Sequence, residues 1–245
     1  TIGGEDCGFS IYGATGTDAA AIFLDSTVTG CTIQDNRCGW DNDHKNYCGI
    51  VLYNSNTNTI LNNTSSSSTV SGILLLSSSH NTISGNTLRS NYLGISLSFS
   101  NDNTISGNTC NSNRGYGLSL HSSNYNIIYL NNLSNNSDGN TSVSASTTNT
   151  WNSPTPIFYN YTGGSYHKNY LGNYYSDYTG SDSDGDGIGN TAYSGTGMTD
   201  SYPLMDTSAC YSLQAWWLSG DSKMYRADMT KSPGVVAITG GSSQI

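Results

Sequence analysis

Residues 72–128 read GILLLSSSHNTISGNTLRSNY, then LGISLSFSNDNTISGNTCNSNRG, then YGLSLHSSNYNII, the same phrase begun three times. Two anchors fix its period. The first is Thr-Ile, at Thr32-Ile33, Thr59-Ile60, Thr82-Ile83 and Thr104-Ile105, continued by Ile127-Ile128; its second residues are 27, 23, 22 and 23 apart. The second is an apolar triplet, preceded by Gly in the later copies. It begins at Ile22, Ile50, Ile73, Ile95 and Leu118, with spacings of 28, 23, 22 and 23. Both anchors keep one period and both stretch by about five residues in the same copy. A repeat of this length is a supersecondary unit that cannot bury its own apolar face and must stack on its neighbours.

Inside each copy, apolar residues two apart, such as Ile95 and Leu97, are strand-like. Stacking puts Ile50, Ile73, Ile95 and Leu118 in one inward column and Ile33, Ile60, Ile83, Ile105 and Ile128 in another. Asparagine recurs three residues after each Ile anchor (Asn36, Asn63, Asn86, Asn108, Asn131) and two before it (Asn58, Asn81, Asn103, Asn126, with Cys31 one copy earlier). Asn tolerates left-handed backbone and its amide can pair with copies above and below, so these are expected to be two structural ladders. The fold class that follows is all-β: a right-handed parallel β-helix over 1–175, an Asp-rich loop over 176–206 as cap, and a β tail or start of a further unit over 207–245. In that tail, Tyr211, Leu213, Trp216, Trp217, Met224, Tyr225 and the run Val235–Ile238 suggest strands.

Composition sets the function classes. The chain has 245 residues, only 10% charged, with net charge −9 and 8 Lys plus Arg, which argues against nucleic acid and anionic membranes as partners. No apolar run is long enough to span a bilayer. Thr1 reads as the interior of a longer protein. Six Cys without zinc-finger spacing suit an extracellular chain. Cys7, Cys38 and Cys110 each stand five residues after the Ile of a Thr-Ile pair (Thr1-Ile2, Thr32-Ile33, Thr104-Ile105), which is expected to place them in one inward column. Cys7–Cys38 and Cys38–Cys48 are alternative bridges, and reduced, buried thiols are the third reading. The insertion Gly39–Tyr47 concentrates charge and aromatics on a loop and is the candidate ligand contact in the coils, against an ornamental polar loop.

The sharpest chemistry lies at Asp182-Ser183-Asp184-Gly185-Asp186-Gly187-Ile188-Gly189-Asn190. Carboxylates at alternate positions, with Gly allowing a tight wrap, converge on a hard cation through oxygen. Asp182, Asp184 and Asp186 match the first, third and fifth places of an EF-hand loop; Ile188 would offer its carbonyl and Asn190 its side chain. Tyr193 stands where the bidentate Glu would be, so the expected ligand is Ca2+ in an extracellular-type loop, with Asp177 or Asp200 completing the shell. Catalysis would instead need a row of carboxylates and a base along the coils. The coils offer a column of His80, Asp102 and Tyr125, an outward His121, and Arg89 and Arg114 in different columns.

The repeats, and beyond them Trp151, Pro156–Tyr161, Leu171–Tyr178, the acidic loop and Asp200–Met205, resemble the NosD-type and carbohydrate-binding/sugar-hydrolase β-helix families over about residues 20–206. The resemblance implies a secreted, repeat-rich surface protein of the kind common in methanogenic archaea. Its partners would be other surface proteins, copies of itself or polysaccharide. The name NosD also implies periplasmic copper handling, yet 4 His and 4 Met form no His-x-His, Met-x-Met or Cys-x-x-Cys cluster here. The expected role is structural or adhesive at the cell surface, with a polysaccharide-active lyase or hydrolase as the alternative.

Overall fold

The computed structural model describes residues 20–26, 28–39 and 45–214, and the backbone of strand residues 2–3, 10–11, 215–218 and 224–228. Three parallel sheets wind around one core, about five turns of solenoid. The first sheet stacks Thr32–Gln34, Thr59–Leu61, Thr82–Ser84, Thr104–Ser106 and Ile127–Tyr129, with Ile2–Gly3 at its edge. The second stacks Arg37–Cys38, Thr64–Ser66, Thr87–Arg89, Thr109–Asn111 and Asn132–Ser134 between Ser10–Ile11 and Tyr174–Tyr175. The third carries the longer strands Ala20–Leu24, Cys48–Tyr53, Ser71–Leu76, Leu93–Ser98, Tyr116–His121 and Gly139–Ser144.

Register follows the repeat. Ile60 pairs with Ile83 and Ile83 with Ile105, while Ile73 pairs with Ile95 and Ile95 with Leu118. These side chains are at most 1% exposed, so both expected columns form the interior. Each buried Ile or Leu contributes about 1.5–3 kcal/mol by leaving water, which lets a chain poor in hydrophobes fold. The stretched copy does not break register, because Ile22 still pairs with Ile50 and Ile33 with Ile60; part of the insertion, 40–44, lies outside the described residues. The recurrent Gly has a steric cause: at Gly94 a Cβ would lie 2.3 Å from the carbonyl oxygen of Gly117 in the next coil.

The corners obey one rule. Among the described residues, every non-glycine residue with positive φ except Thr162 immediately precedes a residue whose amide or hydroxyl pairs between coils; examples are His80 (φ 58°) before Asn81 and Leu130 (φ 57°) before Asn131. The left-handed residue turns the chain and aims the next side chain inward. Such backbone costs about 1–2 kcal/mol per residue, offset by the pairing it permits. At most rungs the backbone N–H and Nδ2 of one Asn both donate to Oδ1 of the next, as Asn86 does to Asn108 at 3.0 and 2.9 Å; Asn58 and Asn91 donate only their N–H forward. The two expected ladders are present. Three more are present among the described residues: Asn91, Asn113 and Asn136; the serines Ser55, Ser78, Ser100, Ser123 and Ser146; and Asn56, Ser79, Asn101 and Asn124, whose side chains accept N–H groups from the following coil.

Neither bridge weighed for Cys38 forms: Cys38 and Cys48 are free, buried thiols, and Cys7 lies outside the described residues. Cys38 and Cys110 do share one inward column, through Ser65 and Leu88, and burial pushes both thiols up to about 12. They pack as small apolar side chains.

After Ser144 the pattern changes. Thr150 bridges Ile127 and places Trp151, 3% exposed, in the core. The antiparallel hairpin Ile157–Tyr161 and Tyr166–Asn169 then leaves the solenoid and pairs with Tyr211–Leu218, which pairs with Met224–Asp228. The tail is thus sewn to residues some fifty positions earlier, and Val235–Ile238 lies outside the described residues. A second core of Leu130, Tyr159, Leu171, Ile188, Leu204 and Tyr211 joins this sheet, the last coil and the acidic loop.

Candidate metal centre

The loop from Asp182 to Asn190 closes on itself through its own carboxylates. Asp182 Oδ1 accepts the N–H of Gly185 (2.8 Å) and of Asp186 (3.2 Å), and its Oδ2 accepts that of Gly187 (2.8 Å). Asp186 Oδ1 accepts the N–H of Ile188 at 2.8 Å. Gly185 and Gly187 supply left-handed backbone, φ 73° and 86°. At Gly187 the ring of Tyr161 also lies within 2.6 Å of where a Cβ would stand.

This wrap brings one oxygen each from Asp182, Asp184 and Asp186 within 4.8 Å of one another, with Asp184 exposed and its neighbours half-buried. Three anions so close repel unless a cation or protons intervene. All three donors are hard oxygens, the set that divalent oxygen-loving cations take. Ile188 is 5% exposed and plugs the second core, bridging Leu204. Asn190 turns its Oδ1 to Ser183, accepting from its N–H at 2.6 Å and its hydroxyl at 2.8 Å.

The loop is tied to the solenoid end by groups that the motif does not reveal. Tyr159 donates its hydroxyl to the Asp186 carbonyl at 2.9 Å, and Asn169 Nδ2 donates to Asp186 Oδ2 at 3.3 Å. Gly187 O accepts the N–H of Met205 and the hydroxyl of Tyr211. Burial, with the nearby Asp186, Asp182 and Asp184 charges, pushes the Tyr159 phenol well above its ordinary range, so it remains a donor.

Asp177 and Asp200, expected to complete the shell, are occupied elsewhere. Asp177 accepts Asn140 Nδ2 at 2.6 Å and the Tyr193 hydroxyl at 3.2 Å. Asn140 in turn accepts Asn136 Nδ2, so Asp177 ends the third asparagine ladder. Asp200, fully buried, accepts from the N–H and Nδ2 of Asn173 (2.8 and 3.2 Å), the Tyr175 hydroxyl (3.1 Å) and the Tyr202 N–H (2.9 Å). Asn173 follows Asn131, so Asp200 ends the ladder begun at Asn36. These two ladders hand on hydrogen-bond donors in one direction, and for each a carboxylate is the terminal acceptor that returns none.

Along the coils, His80, Asp102 and Tyr125 occupy equivalent left-handed corners. His121 stands outward beside Ser98 and holds Ser144 Oγ at 3.0 Å, its ring edge-on to Phe99. Arg114 reaches back two coils to the Ser68 carbonyl. Among the described residues, no other group of three His, Cys, Asp or Glu converges. Copper, the metal implied by the resemblance, wants thiolate, thioether or imidazole donors. The buried thiols stay protonated and no such set assembles among the described residues, so the residues present do not fit it.

No curated protein matches the chain. Among solved structures it is similar to the periplasmic alginate epimerase AlgG, at 20% identity and a TM-score of 0.46, over 54% of this chain and 36% of that one. A point mutant of that epimerase gives a TM-score of 0.45 over the same shares. The chain thus spans little over a third of that protein's length. A family model described as periplasmic copper-binding protein (NosD) matches residues 6–180, well over half of the chain, and the protein belongs to the NosD family.

Proposed function

We propose that this NosD-family member is an exported structural or adhesive scaffold of the periplasm or cell surface, whose solenoid end is held closed by Ca2+ in the Asp182–Asp186 loop. The observation that carries the reading is the convergence of three carboxylates within 4.8 Å on a loop whose backbone is bonded to Tyr159, Tyr211 and Met205. A cation there neutralises the repulsion and orders the segment covering the last coil, which would otherwise expose unpaired strand edges. Ca2+ suits the flexible, oxygen-only donors better than Mg2+, which demands octahedral geometry, or copper, which prefers softer ligands. The long, sparsely charged coils are the surface offered to other envelope proteins, to copies of the chain or to polysaccharide. A polysaccharide-cleaving role is disfavoured because the only carboxylate in the His80–Tyr125 column is Asp102.

Thermal unfolding in EDTA, Ca2+, Mg2+ and copper tests this. Extracellular calcium modules bind at about 10⁻⁴–10⁻³ M, so ~10 mM Ca2+ stabilises by roughly 1.4–2.7 kcal/mol, a rise in Tm of about 3–10 °C. Asp184→Asn should abolish that rise while leaving the EDTA-treated protein no less stable, since it removes one repelling charge. A Tm indifferent to Ca2+, or a larger response to copper, sinks the reading.

A further inference from the structure

Six Asn-x-Ser/Thr sequons begin at Asn62, Asn63, Asn132, Asn135, Asn140 and Asn160. They are equivalent in sequence, and the fold makes them unlike. Asn63 is a buried rung: its Nδ2 donates to the Ile33 and Leu61 carbonyls and to Asn86 Oδ1, all within 3.0 Å. Asn140, 4% exposed, gives its Nδ2 to Asp177 at 2.6 Å. Asn132 faces outward but clasps the tail, accepting the Ser208 N–H at 2.7 Å and donating to the Ser208 hydroxyl at 3.1 Å. Asn160 is half-buried and turns its Nδ2 back onto the Gly164 and Ser165 carbonyls of its own hairpin.

Asn62 and Asn135 differ from all four. Each is an exposed, left-handed corner residue, φ 55° and 54°, and neither is a rung of a ladder. The corner buries the middle residue of the sequon, Asn63 or Asn136, and turns the first and third outward together. The hydroxyls the sequon requires, on Thr64 and Ser137, accordingly lie on the outer surface, Thr64 half-buried and Ser137 exposed. A bulky polar adduct there meets solvent; on a ladder Asn it would displace two coils' hydrogen bonds.

We propose that Asn62 and Asn135 are the N-glycan attachment sites of the folded chain, with a lipid-linked pyrophosphate oligosaccharide as donor. The Nδ2–carbon bond forms at the anomeric carbon as the carbon–oxygen bond to pyrophosphate breaks. The electron pair leaves on the lipid pyrophosphate and the amide proton passes to base. The proposal rests on reading the chain as exported.

The test supplies an oligosaccharyltransferase accepting Asn-x-Ser/Thr, with its lipid-linked donor, to the purified folded chain, and maps modified peptides by mass spectrometry. Because enzyme and donor are provided, the result is independent of the native compartment, which cell fractionation reads separately. Glycan on Asn62 and Asn135 alone is expected. Thr64→Ala should abolish modification of Asn62 while leaving the Asn63 sequon intact, and Ser137→Ala should abolish that of Asn135. Urea-unfolded chain should additionally be modified at the other positions. Modification of Asn63, Asn132, Asn140 or Asn160 in the folded chain overturns the proposal, as does an unmodified Asn62 or Asn135.

Discussion

At Asp200 the chain buries a carboxylate completely and surrounds it with four donors, two from Asn173 and one each from Tyr175 and Tyr202. Replacing it with Asn brings a second amide N–H₂ against donors that need an acceptor. Asp200→Asn should therefore destabilise the protein by about 2–4 kcal/mol in urea or thermal unfolding; an unchanged midpoint would contradict the terminal-acceptor role. Burial outweighs the donors and pushes the carboxyl from 3.8 up to about 6. A folded value above the unfolded one means the native state binds this proton more tightly, so its contribution is full below about pH 4 and is lost as pH rises through about 6. Wild type should thus lose stability relative to Asp200→Asn between those limits, narrowing the gap. The sequence pointed to Asp200 and Asp177 as acids near the metal loop; it could not reveal that they end ladders, because past Asn136 the regular 22–23-residue spacing fails for the ladder members Asn140 and Asn173.

Within the coil, the periodic Ile and Asn residues made two of the three sheets and two of the ladders legible from spacing alone. The second sheet was harder: its inward column runs Cys38, Ser65, Leu88, Cys110 and Leu133, with no single residue type to mark it. The third asparagine ladder starts from Ser68, and the serine ladder is hidden among many outward serines. What binds them is the left-handed residue before nearly every rung, a backbone signal that Ser, His, Tyr, Phe and Leu all satisfy under tertiary constraint. This gives a test at an exposed site where packing hardly enters. Ser112, φ 53°, precedes the rung Asn113. Ser112→Val should cost about 1–2 kcal/mol because a β-branched side chain resists that conformation, whereas Ser112→Gly should be neutral or slightly stabilising. Equal effects of the two would mean the corner is not strained. Asn108→Ala, by orphaning the Asn86 donors and the Ile83 carbonyl, should cost more than either, about 2–4 kcal/mol.

Across the whole molecule, stability is distributed along a line. Each coil touches chiefly its neighbours, so the free energy of opening depends on where the opening starts. The C-terminal end concentrates the means of preventing it: two carboxylates end ladders, a hairpin recruits the strand at Tyr211–Leu218, and the acidic loop locks onto Tyr159 and Tyr211. If the loop is a cation-dependent cap, removing the cation should act locally before it acts globally. Hydrogen exchange with EDTA in place of Ca2+ should speed exchange in 157–169, 182–205 and the last coil from Tyr116 onward, while the amides of Thr59–Leu61, Ser71–Leu76 and Leu93–Ser98 keep most of their protection. Gly187→Ala, which forces a side chain into left-handed backbone against Tyr161, should produce the same local pattern with Ca2+ present. Uniform loss along the coils would show that the loop's order is inseparable from global folding, and no loss anywhere would show that the three aspartates lie on a lid that closes without a metal.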